Sequence, residues 1–207
     1  MSDDRSRIFS AIREALGPLQ AAGKATAYPE YSVDVLSALP RLKGEDQWTV
    51  FARNLKNVNG RAMSDVAELA AYLQSENAAE GYCDPTLIAT IAPALSGVTL
   101  HGSFERAELE RYTFGITRAS GIIVESGTVI LKDRETSNRL GALAPWVHIA
   151  VIFGDTPVYH TISEAIAALG DDPNTIFVTG PSKTADVEGI LIEGVHGPGQ
   201  QICLRLS

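Results

Sequence analysis

Apolar positions recur at helical spacing over the first part of the chain and in short unbroken runs over the second, with the change near Tyr112. Ile8, Phe9, Ile12 and Leu16 mark a first helix, with Ser2 as its cap, Asp3 and Asp4 at the positive end of its dipole, and Gly17-Pro18 as its stop. Leu19 to Gly44 is rich in Ala, Pro, Ser and Tyr, has no period, and reads as an extended linker. Such a linker lets the first helix pack either on its own domain or on a neighbouring subunit. Trp48, Phe51, Ala52 and Leu55 define a second helix ending at Asn59-Gly60, and Ser64 opens a third with Val66, Leu69, Ala70 and Leu73 on one face. "EGYCD" and "VTLHG" read as strands on either side of a helix in "DPTLIATIAPALSG", entered by Pro85 and closed by Gly97.

Beyond Tyr112, "GIIVESGTVILKD" holds two β-branched runs joined by Glu125-Ser126-Gly127, the pattern of two strands with a tight turn or bulge. "PWVHIAVIF" and "NTIFVT" are apolar in the way of strands covered on both faces. Between them, "TISEAIAALG" carries a Thr161/Glu164 capping box, an apolar stripe starting at Ile162 and Ile166, and a stop at Gly170. Apolar strands alternating with short helices predict an α/β fold, a mainly parallel sheet flanked by helices. We place this domain over residues 45–207, with a helical extension and linker over 1–44. In such sheets ligands bind beyond the carboxyl ends of strands, and the "GPSKTAD" loop is expected to follow one of them.

Charge and cysteine content narrow the function classes. Seventeen basic against 25 acidic side chains give a net charge of −8, and no Lys/Arg cluster stands out. A nucleic-acid partner is therefore not expected, because neutralising phosphates needs a basic face; a small anionic ligand in one local pocket is compatible. No run approaches ~20 apolar residues, so no membrane span is expected. The charged start "MSDDRSRIF" lacks a secretory apolar core, which points to a cytoplasmic protein. Cys83 and Cys203 are far apart and form no C-x-x-C, so neither a zinc ribbon nor a cysteine-held iron–sulfur cluster is expected in this chain. Cys203, in the alternating "QICLRL", reads as a small buried apolar side chain. No two histidines have helical metal-ligand spacing, so no metal site is expected.

The stretch richest in candidate chemistry is "VTGPSKTADVEGILIEGVHGPGQQI". Gly180 permits a sharp turn and Pro181 fixes the next φ. Ser182 or Thr184 can cap a helix marked by Val187, Ile190 and Leu191. Its exposed amides, with the hydroxyls and Lys183, would suit a carboxylate or phosphate; the plain alternative is a capped turn with a solvated Lys183. The spacing is neither a Walker loop nor G-x-G-x-x-G, and the chain has no G-x-S-x-G elbow. Asp186 is a candidate base or only a helix-dipole partner. His196, between glycines, can titrate near neutrality. His101 ends a strand and can approach the same edge, whereas His148 reads as a hydrogen-bonded sheet residue. Glu125, beside Ser126, Gly127 and Thr128, is either a general base or nucleophile or a structural acceptor of backbone amides.

Taken together, "GIIVESGTVIL", "WVHIAVIF" and "TGPSKTADVEGILIEGVHGPGQ" resemble the LUD domain of the lactate-utilization proteins, in its small C-type (YkgG-like) branch. The likeness covers about Phe114 to Leu206, with a looser one in "FSAIREALG". Either Gly-Pro motif alone is weak; the two at this spacing are specific. The family usually reads T-G-T at Ser126-Gly127-Thr128, Arg at Lys183 and Ile at Val187. The Lys183 change loses a bidentate fork and leaves a point charge. The positions that carry over are Glu125–Thr128, Gly180–Asp186 and Gly194–Gly199, without catalytic roles.

The resemblance implies the fold shared by glucosamine-6-phosphate deaminase, ribose-5-phosphate isomerase and CoA transferases. It also implies a part in oxidising L-lactate to pyruvate as one of three proteins. The B-type relatives carry a cysteine-rich ferredoxin-like segment; two cysteines fit the C-type. On that basis this chain binds no cofactor itself, its iron–sulfur clusters are expected on partner subunits, and it acts as an accessory subunit, open to homo-oligomerisation. The alternative is a stand-alone enzyme of CoA-transferase or sugar-phosphate isomerase type, with Glu125 as base or nucleophile and the "GPSKT" loop on a small anion. A binding module without chemistry is the third reading.

Overall fold

The computed structural model describes residues 2–21, 46–132, 138–170, 172, 174–185 and 190–206. The chain divides into two units, Met1–Ala38 and Leu39–Ser207. The first contains helix α1 (Ser2–Ala21), on which Ile8, Phe9, Ile12 and Leu16 form an exposed apolar seam. The Arg5 guanidinium lies 5.5 Å over the Phe9 ring. Two expectations are corrected here. Ser2 is the first helical residue rather than a cap in front of the helix, and the helix runs through Gly17-Pro18 to Ala21. A proline inside a helix lacks one N–H donor and crowds the carbonyl of the preceding turn, which disfavours the helix there without forbidding it.

In the second unit each described α-helix is opened by a side-chain cap. In α2 (Gln47–Asn57), the Asp46 carboxylate accepts from Thr49 N and Oγ1, and Val50, Phe51 and Leu55 are buried. In α3 (Val66–Ser75) the cap is Asp65 rather than the expected Ser64: its Oδ1 accepts from Ala67 N. In α4 (Pro85–Ile91), buried Asp84 accepts from Thr86 N and Oγ1, and Pro85 takes the position where a missing N–H costs nothing. Helices α5 (Arg139–Leu143) and α6 (Ile162–Ala168) start at Asn138 and Thr161. The capping box at α6 is present: Thr161 Oγ1 accepts from Glu164 N, and Glu164 Oε2 reaches back to accept from His160 N. Its apolar stripe is not a core stripe. Ala165 is the buried residue, against Ile123 and Ile130, while Ile162 and Ile166 are 47% and 56% exposed. Close approach through a small side chain turns the larger ones outward.

Six strands form one wholly parallel sheet in the order β1-β12-β7-β4-β2-β3. They are β1 (Arg61–Met63), β2 (Glu80–Cys83), β3 (Thr99–His101), β4 (Phe114–Arg118), β7 (Val147–Ile152) and β12 (Gln200–Arg205). The run "PWVHIAVIF" is central β7, with all six strand residues buried, as its composition predicts. One face packs Leu69, Leu73, Leu87 and Ile91 of α3 and α4 on Phe114, Ile116, Ile149 and Ile202. The other packs Phe51 and Leu55 of α2 on Ala150, Ile152 and Cys203, together with a second sheet. That sheet has the order β8-β5-β6-β9 and comprises β5 (Gly121–Ile123), β6 (Thr128–Lys132), β8 (Val158–Tyr159) and β9 (Thr175–Val178). β6 pairs antiparallel with both β5 and β9. The domain is thus α/β, built on a parallel central sheet flanked by helices. "NTIFVT" departs from expectation: it is the half-buried antiparallel edge strand β9, outside the parallel sheet. Among the described residues no helix is long and apolar enough to cross a membrane.

His148 sits in the middle of the parallel sheet, wholly buried. Its Nδ1–H donates to Gln201 Oε1 at 2.7 Å on one neighbouring strand, and its Nε2 accepts from Thr117 Oγ1 at 2.8 Å on the other. Both ring nitrogens are satisfied by the neutral imidazole, and burial pushes its pKa down to about 4. The two cysteines are buried on β2 and β12. Three strand spacings separate those strands, about 14 Å, too far for a disulfide. Desolvation pushes the Cys83 thiol up to about 12 and Cys203 upward as well, so both behave as small apolar side chains.

Candidate functional site

Helix α2 is the surface on which the candidate motifs meet. The turn from β5 to β6 carries Gly127 at φ 64°, where a Cβ would stand 2.3 Å from Leu55 N and 2.6 Å from the Asn54 carbonyl carbon. Only a glycine lets that backbone lie so close. Asn54 Nδ2 donates to Val124 O at 2.8 Å and fastens the contact. Past the helix end, Val58 O lies 2.2 Å from where a Cβ on Gly180 (φ 70°) would fall. Between these glycines runs a hydroxyl chain: Ser126 Oγ to Thr128 Oγ1 and Thr128 Oγ1 to Thr179 Oγ1, each 2.7 Å. The Glu125–Thr128 turn and the start of the "GPSKT" loop are therefore one connected structure.

Beyond Gly180 the described residues are not helical, and 186–189, on which the expected helix centres, lie outside them. Lys183–Thr184 (β10) pairs antiparallel with Ile192–Glu193 (β11) as a two-stranded ribbon. Val187, like the candidate base Asp186, lies outside the described residues. Ser182 is held extended, its N donating to Pro198 O at 2.8 Å and its O accepting from Gly194 N at 2.9 Å. Lys183 and Thr184 thus stand in a strand pair at the position where the sequence suggested a helix start. Lys183 Nζ donates to Val58 O at 3.1 Å and sits 3.6 Å from Glu193 Oε1, which also accepts from Asn59 Nδ2. The lysine ties the loop to the end of α2.

The two Gly-Pro motifs do meet, through the Ser182 bonds and through Gly197, which abuts Ser182. They close on Trp146, a residue without a local signal in the sequence. Cβ atoms on Gly194 and Gly199 would fall 2.3 and 2.2 Å from its ring. The exposed half of Trp146 borders a cavity of about 420 Å³ with Leu143, Val195 and His196. None of residues 180–184 is among its described lining. Ile190, Leu191 and Ile192, which lead into β11, are exposed as well. Trp146, Gly199 and Asn59-Gly60 stand just before β7, β12 and β1, so the motifs gather at the amino edge of the parallel sheet. The expectation that "GPSKTAD" follows the carboxyl end of a parallel strand is thereby corrected.

Glu125 has a different neighbourhood. Its Oε1 accepts from Ile162 N, the first amide of α6, at 2.7 Å, and its own N donates to His160 O. His101 is also elsewhere: its Nε2 bonds Glu80 Oε1, which Arg111 Nε shares. Among the described residues no group of three or more His, Cys, Asp or Glu side chains is placed to hold a metal ion.

Comparison with known proteins gives a family. The sequence model of the LUD domain matches residues 70–204. Proteins called lactate utilization protein C are similar: that of Oceanobacillus iheyensis is 39% identical over 97 residues, 43% of this chain and 41% of the relative. That of Macrococcus caseolyticus is 36% identical over 96 residues, 43% and 42% of the two chains. That of Shouchella clausii is 37% identical over 102 residues, 46% and 44%. The matches thus span about two fifths of the length of these relatives. A crystal structure of a DUF162 family protein from Deinococcus radiodurans shares the fold, with a TM-score of 0.54 and 24% identity, over 78% of this chain and 96% of that one.

Proposed function

The chain belongs to the LUD domain family, and from that premise we propose that it serves as an accessory subunit of a multi-protein system that oxidises L-lactate to pyruvate. The observation that carries this reading is the surface built by the Gly-Pro motifs: a half-exposed tryptophan backed by two glycines and bordered by Leu143 and Val195, with Ile190, Leu191 and Ile192 also exposed in the segment that leads into it. A large aromatic anchor inside an apolar rim is the composition of an interface centre. The partner we assign to it is the cysteine-rich iron–sulfur protein of the same system. Two buried cysteines with raised thiols do not make a cysteine-held cluster, so electron transfer is left to that partner. The names of the C-type relatives support the choice of substrate. The stand-alone enzyme, with Glu125 as base or nucleophile, has less support, because that carboxylate already holds the first amide of α6.

Deleting the gene is expected to impair growth on L-lactate and leave growth on pyruvate intact; equal growth on both overturns the lactate assignment. A Leu191→Asp/Val195→Asp copy is expected to fold normally, fail to restore growth, and lose co-purification with the iron–sulfur protein. Full rescue by that copy would remove the docking surface from the proposal.

A further inference from the structure

We propose that the protein binds a small 2-hydroxy or 2-oxo acid at the opposite edge of the parallel sheet, in the cavity between Arg118 and Lys132. The cavity has a volume of about 360 Å³ and is lined by Arg118, Ser120, Lys132, Asp155, Thr156 and Tyr159, among others. That volume is the scale of a small-molecule site. Its position is the one parallel α/β sheets favour. Ligands of open α/β sheets bind beyond the carboxyl ends of the strands; Arg118 is the last residue of β4, and Asp155 and Thr156 follow the end of its neighbour β7.

The lining has the chemistry of a hydroxy-acid monoanion. Arg118 comes from the parallel sheet and Lys132 from the end of β6 in the second sheet. A protein of net charge −8 here brings two cations from separate sheets to one concave surface. The guanidinium lies 5.4 Å over the Phe153 ring, and its planar fork of N–H donors matches a carboxylate bidentately. Ser120 Oγ accepts from Lys132 N and Thr156 Oγ1 accepts from Phe153 N. Each hydroxyl keeps its own hydrogen as a donor. Asp155 supplies an acceptor for a ligand hydroxyl and disfavours a second negative charge, which selects a carboxylate over a phosphate dianion.

The choice of acid rests on the lactate reading above, whereas the site itself stands on the cavity. The test is calorimetric titration of the purified full chain with L-lactate, pyruvate and inorganic phosphate. Saturable binding of one of the two acids is expected, weakened about tenfold or more in Arg118→Met and in Lys132→Met, and unchanged in Leu191→Asp/Val195→Asp. Matching melting temperatures establish that the variants fold, and two variants on different strands guard against loss of one. Absence of saturable binding at millimolar acid, binding unaltered in both variants, or phosphate binding as tight as the acid would overturn the proposal. Growth separates the two readings: no binding with lactate growth still dependent on the gene removes only the pocket, and intact binding with normal growth of the deletion strain removes only the lactate system.

Discussion

Gly127→Ala is expected to destabilise the protein by about 4 kcal/mol. Two costs combine. At φ 64° an alanine sits in the left-handed region, worth about 1–2 kcal/mol. Its Cβ would also meet backbone on every close approach, Leu55 N at 2.3 Å and Leu55 Cα and Asn54 C at 2.6 Å. Backbone cannot rotate away as a side-chain tip can, so α2 must retreat and loosen Phe51 and Leu55 from the core. Two other glycines separate the costs. Gly97→Ala has φ 79° and open space, and should show the conformational part alone. Gly154→Ala has open space and no positive φ, and should stay within about 0.5 kcal/mol of the parent. Urea unfolding of the three measures this; a Gly127→Ala no weaker than Gly97→Ala would show that close approach to α2 is unimportant.

The second large effect is a pH dependence set by His148. Its pKa is about 4 in the folded protein and an ordinary 6.5 when unfolded. As pH falls below 6.5 the unfolded chain takes up this proton and the folded one does not, so stability falls with pH. The loss runs from about pH 6.5 down to about pH 4, and integrates to about 3 kcal/mol. His148→Gln removes the titration while keeping polar atoms beside Thr117 and Gln201. Carboxylates titrate in the lower half of the same window, so the difference between the two proteins is the measurement. Parallel stability profiles from pH 6.5 to 4.5 would mean that His148 titrates as an exposed histidine does. An NMR titration should leave its ring protons unmoved until below about pH 5.

What the sequence could carry was local. The fully buried six-residue strand β7, the β5–β6 hairpin in "GIIVESGTVILKD", the Thr161/Glu164 box and the Pro85 entry each lie within about a dozen residues, and the structure contains all of them. Pairing between distant segments was not legible. "NTIFVT" has the composition of a core strand, yet its partner is β6, with Val129 opposite Val178, and nothing near residue 178 announces that choice. Beside the helix read from Val187, Ile190 and Leu191, Lys183–Thr184 pairs with Ile192–Glu193 and Ser182 uses both its backbone groups on Pro198 and Gly194, partners no local pattern announces. The motif glycines were visible, but not what they accommodate. Likewise Arg118 and Lys132 line one cavity from strands of two different sheets, a meeting that only the fold brings about.

Helix α2 also bears on where this domain begins. The segment recognisable by family starts at residue 70, yet two of the motif glycines inside it are shaped around Asn54, Leu55 and Val58, which precede it. β1, the strand that flanks β12, precedes it as well. A fragment cut at the recognised boundary would leave β12 with an open edge and both glycine turns facing solvent where a helix should lie. The folded unit is therefore longer than its sequence signature and includes α2 together with its cap Asp46.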